Sequence, residues 1–275
     1  LKGLEKMLEI DISRAEKVIG LFIISNINDV GFKGAVLGLS GGLDSAVVTG
    51  VAVKYLGAEK VLGVLMPHRN SSQESFDHGM MVANHFGIKT KVIDISEMAD
   101  GYHDQMDRLR FGNLLARLRM CVLFDQSKAH SLMVLGTSNK TELLLGYSTW
   151  YGDSAAGCYP IGDLYKTQVR VLAKHIDVPQ LIIDKPPTAD LWPGQTDEGE
   201  IGNTYERLDK ILFQLFDIGI DPSEVAKGEF SPEEVDKVIQ TVKRNQFKRV
   251  MPPICKLSNR TIDLDFRYIR DWSSS

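Results

Sequence analysis

The sequence has very little cysteine: three residues in 275 (Cys121, Cys158 and Cys255), far apart and in no CxxC pair. That argues against a disulfide framework, a zinc site or a dithiol redox centre, and suits a reducing cytoplasm. No stretch approaches ~18 uncharged apolar residues, so no membrane span and no membrane partner is expected. The opening residues alternate charged and apolar side chains at helical spacing, which is not a signal-peptide pattern. An excess of positive charge is missing too. The formal net charge is −4, so nucleic acid is not the expected partner. The six histidines form neither HxH nor HExxH. There is no GxxxxGK[ST] and no GxGxxG, which excludes a Walker loop and a Rossmann dinucleotide turn.

What is present is an ordinary globular composition, 43% hydrophobic and 25% charged, in a chain long enough to bury a sizeable core. Residues 4–29 carry apolar side chains at helical spacing and predict an amphipathic helix. Short apolar strands are then expected at 35–39, 60–66, 90–95 and 131–136. Helices are expected between them at 43–56, 72–86, 96–108 and 111–129. This alternation predicts an α/β fold: a doubly wound parallel sheet of 3-2-1-4-type order with helices on both faces. Beyond Lys140 further helices are expected at 163–176, 203–216 and 231–246, the last with Ser231 as N-cap and Pro232 behind it. Residues 146–157 read as an ordered loop. Residues 184–199, rich in proline and glycine, read as a functional segment. No repeat and no domain boundary is visible, so residues 1–275 are expected to form a single domain.

One stretch interrupts the apolar pattern where a core should be best packed: VLGLSGGLDSAVV, residues 36–48. Gly41 and Gly42 permit a tight turn and close approach of a ligand to the backbone. The first N–H groups of the following helix lack internal partners and favour an anion, with the hydroxyls of Ser40 and Ser45 as further donors. Asp44 beside an anion implies a bridging cation, and Mg²⁺ suits a carboxylate together with phosphate oxygens. The segment GTSNKTE, residues 136–142, follows the fourth expected strand. In a 3-2-1-4 sheet that strand flanks the first at the switch point, so Asp44 and Glu142 should meet in one cleft. Two carboxylates there would repel unless a metal lay between them.

The Ser-Gly-Gly-x-Asp-Ser turn resembles the pyrophosphate loop of the ATP pyrophosphatase superfamily, whose fold is adenine nucleotide alpha-hydrolase-like. A wider set of segments falls in the order and spacing of NAD⁺ synthetases: 39–46, 112–120, 136–142, 151–153, 160–168, 185–191 and 248–253. The resemblance covers nearly the whole chain. It implies ATP-dependent amidation of nicotinic acid adenine dinucleotide (deamido-NAD) through an acyl-adenylate, with release of AMP and pyrophosphate. It implies ATP as co-substrate, Mg²⁺ as cofactor and a cytoplasmic homodimer. No glutamine-hydrolysing domain is evident, so free ammonia is the expected nitrogen donor.

The resemblance also carries roles to single residues. Gly38, Leu39, Ser40, Gly41, Gly42, Leu43, Asp44 and Ser45 would hold the ATP phosphates. Thr137, Lys166 and Thr188 would contact ATP, and Asp44, Glu142 and Thr188 the metal. Lys166 would neutralise phosphate charge, and Asp153 would bind ammonium and take its proton. Arg117 and Lys248 would contact the dinucleotide. Residues 190–199 would close as a lid. Three positions on the dinucleotide side depart from many family members: Trp150 stands for Lys, Gly157 for Asp and Phe247 for His. Trp150 could stack on a ring instead of pairing with a charge. Rival readings are a GMP synthetase-type ATPase or tRNA thiolase with the same loop, and a non-catalytic adenine-nucleotide binder. A thiolase needs a working cysteine, and a binder needs neither the carboxylate pair nor Lys166.

Overall fold

The computed structural model describes residues 8–102, 107–188, 195–262 and 265. The centre is a four-stranded parallel sheet: β1 (Gly34–Gly38), β2 (Val61–Leu65), β3 (Lys89–Val92) and β4 (Leu132–Val134), ordered β3-β2-β1-β4. Register is fixed by pairs such as Ala35 with Val61 and Ala35 with Met133. β1 lies inside the sheet and is apolar on both sides, as a strand covered on both faces must be. β3, at an edge, reads KTKV and keeps its lysines toward water, which discourages edge-to-edge pairing.

Successive β1 side chains enter opposite layers. Ala35 and Leu37 join a core built with α1 (Ile12–Val30), α2 (Leu43–Leu56), α3 (Gln73–Phe86), α7 (Lys166–His175) and α8 (Gln180–Asp184). Val36 joins the opposite core, with Ile95 and Ala99 around α4 (Ser96–Asp100) and Leu115 and Val122 of α5 (Arg108–His130). After β4 comes α6 (Lys140–Leu145). A third apolar cluster unites its Leu145 with α10 (Tyr205–Leu212), α11 (Pro222–Val225) and α12 (Pro232–Arg244). The short α9 (Asp197–Ile201) precedes α10.

The sheet order and the helix 43–56 stand as expected, and the other boundaries shift for local reasons. The first helix begins at Ile12, not at residue 4. Asp11 caps it by accepting from the Arg14 N–H at 3.0 Å. Leu8 instead packs against the third cluster, and its carbonyl accepts from Gln168. Leu4 lies outside the described residues. Of the fourth expected helix, 96–108, the described residues show the short α4, and residues 103–106 are outside the described set. α10 passes into a π-helical turn, Phe213–Ile218, that ends at Gly219 with φ +78°.

Glu16 ties α1 to two neighbours. Its buried carboxylate accepts from Lys54 Nζ (2.7 Å) and Tyr55 Oη (3.0 Å), and faces His175 Nε2 at 3.1 Å. Burial pushes this carboxyl upward, but Lys54, Tyr55 and His175 outweigh it and hold the group below its ordinary value. Its stabilisation is therefore present above the ordinary glutamate pKa and is lost as pH falls through the lowered one. Glu16→Gln should cost about 1–3 kcal/mol at pH 7. Urea midpoints should show that gap narrowing in acid.

Candidate active site

β1 ends at Gly38, and α2 begins five residues later at Leu43. The intervening turn is held by its own hydroxyls. Ser40 Oγ accepts from the Gly42 N–H (3.2 Å) and meets Ser45 Oγ at 3.1 Å, while Ser45 Oγ donates to the Gly42 carbonyl (3.0 Å). Gly41 has φ +72°, and a Cβ there would lie 2.3 Å from the Ser75 carbonyl oxygen of α3. Only glycine satisfies both the left-handed backbone and this contact.

The turn opens into a cleft of about 580 Å³ at the carboxyl ends of β1 and β4, the switch point where open α/β sheets bind ligands. Gly38, Leu39, Ser40, Gly42, Leu43, Asp44 and Ser45 line it, with Thr137, Glu142, Asp153, Lys166, Thr188 and Lys248. Gly41 lies behind this lining, against α3.

Asp44 and Glu142 do meet, but a lysine stands between them. Lys166 Nζ lies 2.5 Å from Asp44 Oδ2 and 3.1 Å from Glu142 Oε1. The other Asp44 oxygen accepts from Asn139 Nδ2 at 3.0 Å. Asn139 also caps α6 by accepting from the Glu142 N–H (3.0 Å), and Glu142 reaches back to the Asn139 N–H, a capping box. Lys166 is 3% exposed. Burial lowers its pKa, yet Asp44 and Glu142 outweigh burial and hold it above the ordinary lysine value. Glu142 is pushed up to about 7, mainly by burial, with Asp44 and Asp197 adding and Lys166 opposing.

A buried acid fixes this arrangement from behind. Asp209 of α10 is fully buried. It accepts from Thr141 Oγ1 (2.6 Å), the Thr167 N–H (2.8 Å) and Thr167 Oγ1 (2.8 Å). Thr141 Oγ1 in turn accepts from the Lys166 N–H at 3.0 Å. One carboxylate thus joins the starts of α6 and α7, the helices that carry Glu142 and Lys166. Asp197 adds a further acid. Its oxygens accept from Tyr147 (3.2 Å) and Tyr205 (3.1 Å), and the Lys166 ammonium sits 5.1 Å from the centre of the Tyr205 ring. Burial raises Asp197, and Lys166 opposes that rise. Asp209 and Tyr205 carry no local spacing that ties them to the turn, and Asp197 entered the expectation only as part of the lid 190–199. Asn139 carried a readable signal, since N-K-T-E is a capping-box pattern.

On the opposite wall, Asp153 Oδ1 accepts from the Thr149 N–H at 2.7 Å. Its carboxyl opens on the cleft, yet enclosure by protein raises its pKa, with the Thr149 hydrogen bond and Lys248 pulling the other way. Lys248 donates to the Gly146 and Ser148 carbonyls at 2.7 Å each and so pins the loop bearing Asp153.

The remaining residues expected on the dinucleotide side do not line the cleft. Arg117 donates to the Trp150 carbonyl (3.3 Å). The Trp150 ring stacks on Tyr151 (centroids 4.5 Å) and meets Phe247 edge-on (5.3 Å). Gly157 packs along β4, where a Cβ would lie 2.9 Å from Met133 Cγ. An aspartate at that position would need Met133 to move. Of the expected lid, residues 190–194 lie outside the described set, and 195–199 lead into α9.

Comparison with known proteins agrees with this geometry. A family model described as NAD synthase matches residues 16–252. The chain belongs to the NAD synthase family. A curated relative from Chlorobium phaeovibrioides, named NH(3)-dependent NAD(+) synthetase, is 47% identical over 96% of this chain and 97% of its own. A solved NH3-dependent NAD synthetase from Campylobacter jejuni superposes with TM-score 0.77 at 29% identity, covering 90% of this chain and 100% of that one. A structure titled NMN synthetase, from Francisella tularensis, gives 0.80 at 28% identity with the same coverage.

Proposed function

We propose that the protein joins ammonia to the nicotinate carboxyl of deamido-NAD, cleaving ATP to AMP and pyrophosphate and releasing NAD⁺. What carries this reading is the convergence of the phosphate-shaped turn, the Asp44–Lys166–Glu142 cluster and Asp153 on one cleft. The full-length relatives named for the ammonia-dependent reaction support it.

A carboxylate repels ammonia and has no good leaving group, so it must first be activated. The carboxylate oxygen attacks the α-phosphorus of ATP, the Pα–O bond breaks, and the electron pair leaves on pyrophosphate. The N–H groups at the start of α2 and the hydroxyls of Ser40 and Ser45 hold the phosphates during this exchange. Mg²⁺ fits the cluster: the donors are carboxylate oxygens, and a cation already sits between them as the Lys166 ammonium. Asp44 and Glu142 would hold it, Thr188 lies in the same cleft, and the bound ion would draw charge from the departing phosphate oxygens. Among the described residues no group of three His, Cys, Asp or Glu is placed to hold a metal, at this cluster or elsewhere, so two carboxylates would share the ion with phosphate oxygens of the nucleotide.

Asp153 receives the proton that ammonia sheds as it attacks the acyl-adenylate and displaces AMP. Its raised pKa means the accepting, ionised form exists only above that value, so amide formation should fall as pH drops through it. Asp153→Asn should slow amidation by about 10²–10⁴-fold while leaving dinucleotide-dependent pyrophosphate exchange in place. Exchange and amidation falling together would overturn this division of labour.

A homodimer would use the exposed apolar side chains Val18, Leu21 and Phe22 of α1 with Leu109 and Phe124 of α5. Sedimentation velocity reading a monomer would remove that part. The free cysteines suit a reducing cytoplasm, and among the described residues no helix is long and apolar enough to cross a membrane. The function itself is tested by AMP release from ATP with and without ammonium. The acid is supplied either as the dinucleotide or, given the likeness to an NMN synthetase, as nicotinic acid mononucleotide. No release with either acid would overturn it.

A further inference from the structure

The cluster at the ATP end leaves a charge imbalance. Lys166 is one cation already shared by two carboxylates, and Asp197 adds negative charge close by. The Ser40–Ser45 turn contributes neutral donors only. A triphosphate brings several further negative charges into the same space, more than Lys166 and one Mg²⁺ held by Asp44 and Glu142 would offset. Two other cations lining the cleft are already engaged with neutral oxygens: Arg119 with the Met66 carbonyl and Ser71, and Lys248 with the Gly146 and Ser148 carbonyls.

We propose that Arg170 and Lys185 supply the missing positive charge and grip the β- and γ-phosphates of ATP, and then the pyrophosphate they become. The inference rests on the ATP-cleaving reading above. Arg170 lies one turn beyond Lys166 on α7, at the i+4 position that places both on one helix face. It lines the cleft, is half-buried, and has no carboxylate partner among the described residues. Its fork geometry matches two phosphate oxygens at once.

Lys185 follows α8 and also lines the cleft. Its ammonium donates to Ser75 Oγ at 3.1 Å. Ser75 is the α3 residue whose carbonyl presses on Gly41, so Lys185 is moored beside the phosphate turn. α7 packs against α2 and α8, and both cations line the same cleft as the turn. A hydroxyl partner leaves the lysine charge uncompensated, as an anion subsite requires. When the bond from Pα to the β-phosphate breaks, the electron pair moves onto pyrophosphate, and these two side chains meet the charge that develops there.

The test is equilibrium binding of inorganic pyrophosphate by calorimetry, with AMP as the control ligand, on the whole protein. Arg170→Met and Lys185→Met should each weaken pyrophosphate binding by about 10- to 100-fold, the scale of a lost charge-assisted hydrogen bond. AMP binding should change by less than about 2-fold, because AMP carries neither phosphate in question. Arg170→Lys keeps the charge and should recover part of the loss, and unchanged melting temperatures identify folded variants. Pyrophosphate affinity that does not move in folded variants, or that falls in step with AMP, overturns the proposal. The assay needs no turnover. A protein that binds pyrophosphate through these residues yet releases no AMP keeps this inference and loses the ATP-cleaving one.

Discussion

Replacing Lys166 with methionine is expected to lower turnover at least ~100-fold and to destabilise the protein by about 3–5 kcal/mol at pH 8. The side chain is 3% exposed and is the cation shared by Asp44 and Glu142. Removing it leaves two acids facing each other with little water to screen them. The pH dependence separates this from simple loss of packing. Burial already pushes Glu142 up to about 7, and Lys166 is the group that opposes a further rise. Without the lysine the value climbs. A carboxyl raised in the folded state stabilises below its unfolded pKa, and that contribution is lost as pH rises through the folded one. The deficit of the variant should therefore grow between pH 6 and pH 8, measured in denaturant without nucleotide or divalent cation. An equal deficit at both values would overturn the charge-balance account.

Asp44→Asn and Glu142→Gln should each reduce turnover at least ~100-fold, with the opposite effect on stability. Either change leaves Lys166 paired with one acid in place of two, so the melting temperature should hold or rise. Asn139, which donates to Asp44 and caps α6, keeps the local shape in the Asp44 variant. If the pair also binds Mg²⁺, the concentration needed for half-maximal turnover should rise in both. A Mg²⁺ requirement equal to that of the parent protein would remove the metal assignment while leaving the lysine in place.

The strand–turn–helix at residues 36–48 is legible because its signal is local. V-L-G-L-S-G-G-L-D-S-A-V-V contains the strand, the glycines and the helix start within a dozen residues, and the strand–helix alternation placed Glu142 across the switch point from Asp44. The occupant between the two acids was not legible. Lys166 is 122 residues from Asp44 in sequence, and repulsion between carboxylates calls for a cation without saying which. Asp209 was hidden for the same reason: it looks like one more acid on an amphipathic helix until the fold brings Thr141 and Thr167 to it. On the dinucleotide side, resemblance named Arg117, Trp150, Gly157 and Phe247, whereas the structure gathers three of them into an aromatic and basic patch beside the cleft and sets Gly157 against β4. The first helix starts late because the backbone ahead of it is engaged elsewhere, as at Leu8, whose carbonyl accepts from Gln168.

Gly41 has a consequence for how a nucleotide is received. Its backbone is pressed against Ser75 and His78 of α3, so the contour of the turn is settled when that helix docks. On the proposed function, an arriving triphosphate would meet a surface that is already in shape. The ordering cost of the encounter then falls on the flexible nucleotide and not on the protein.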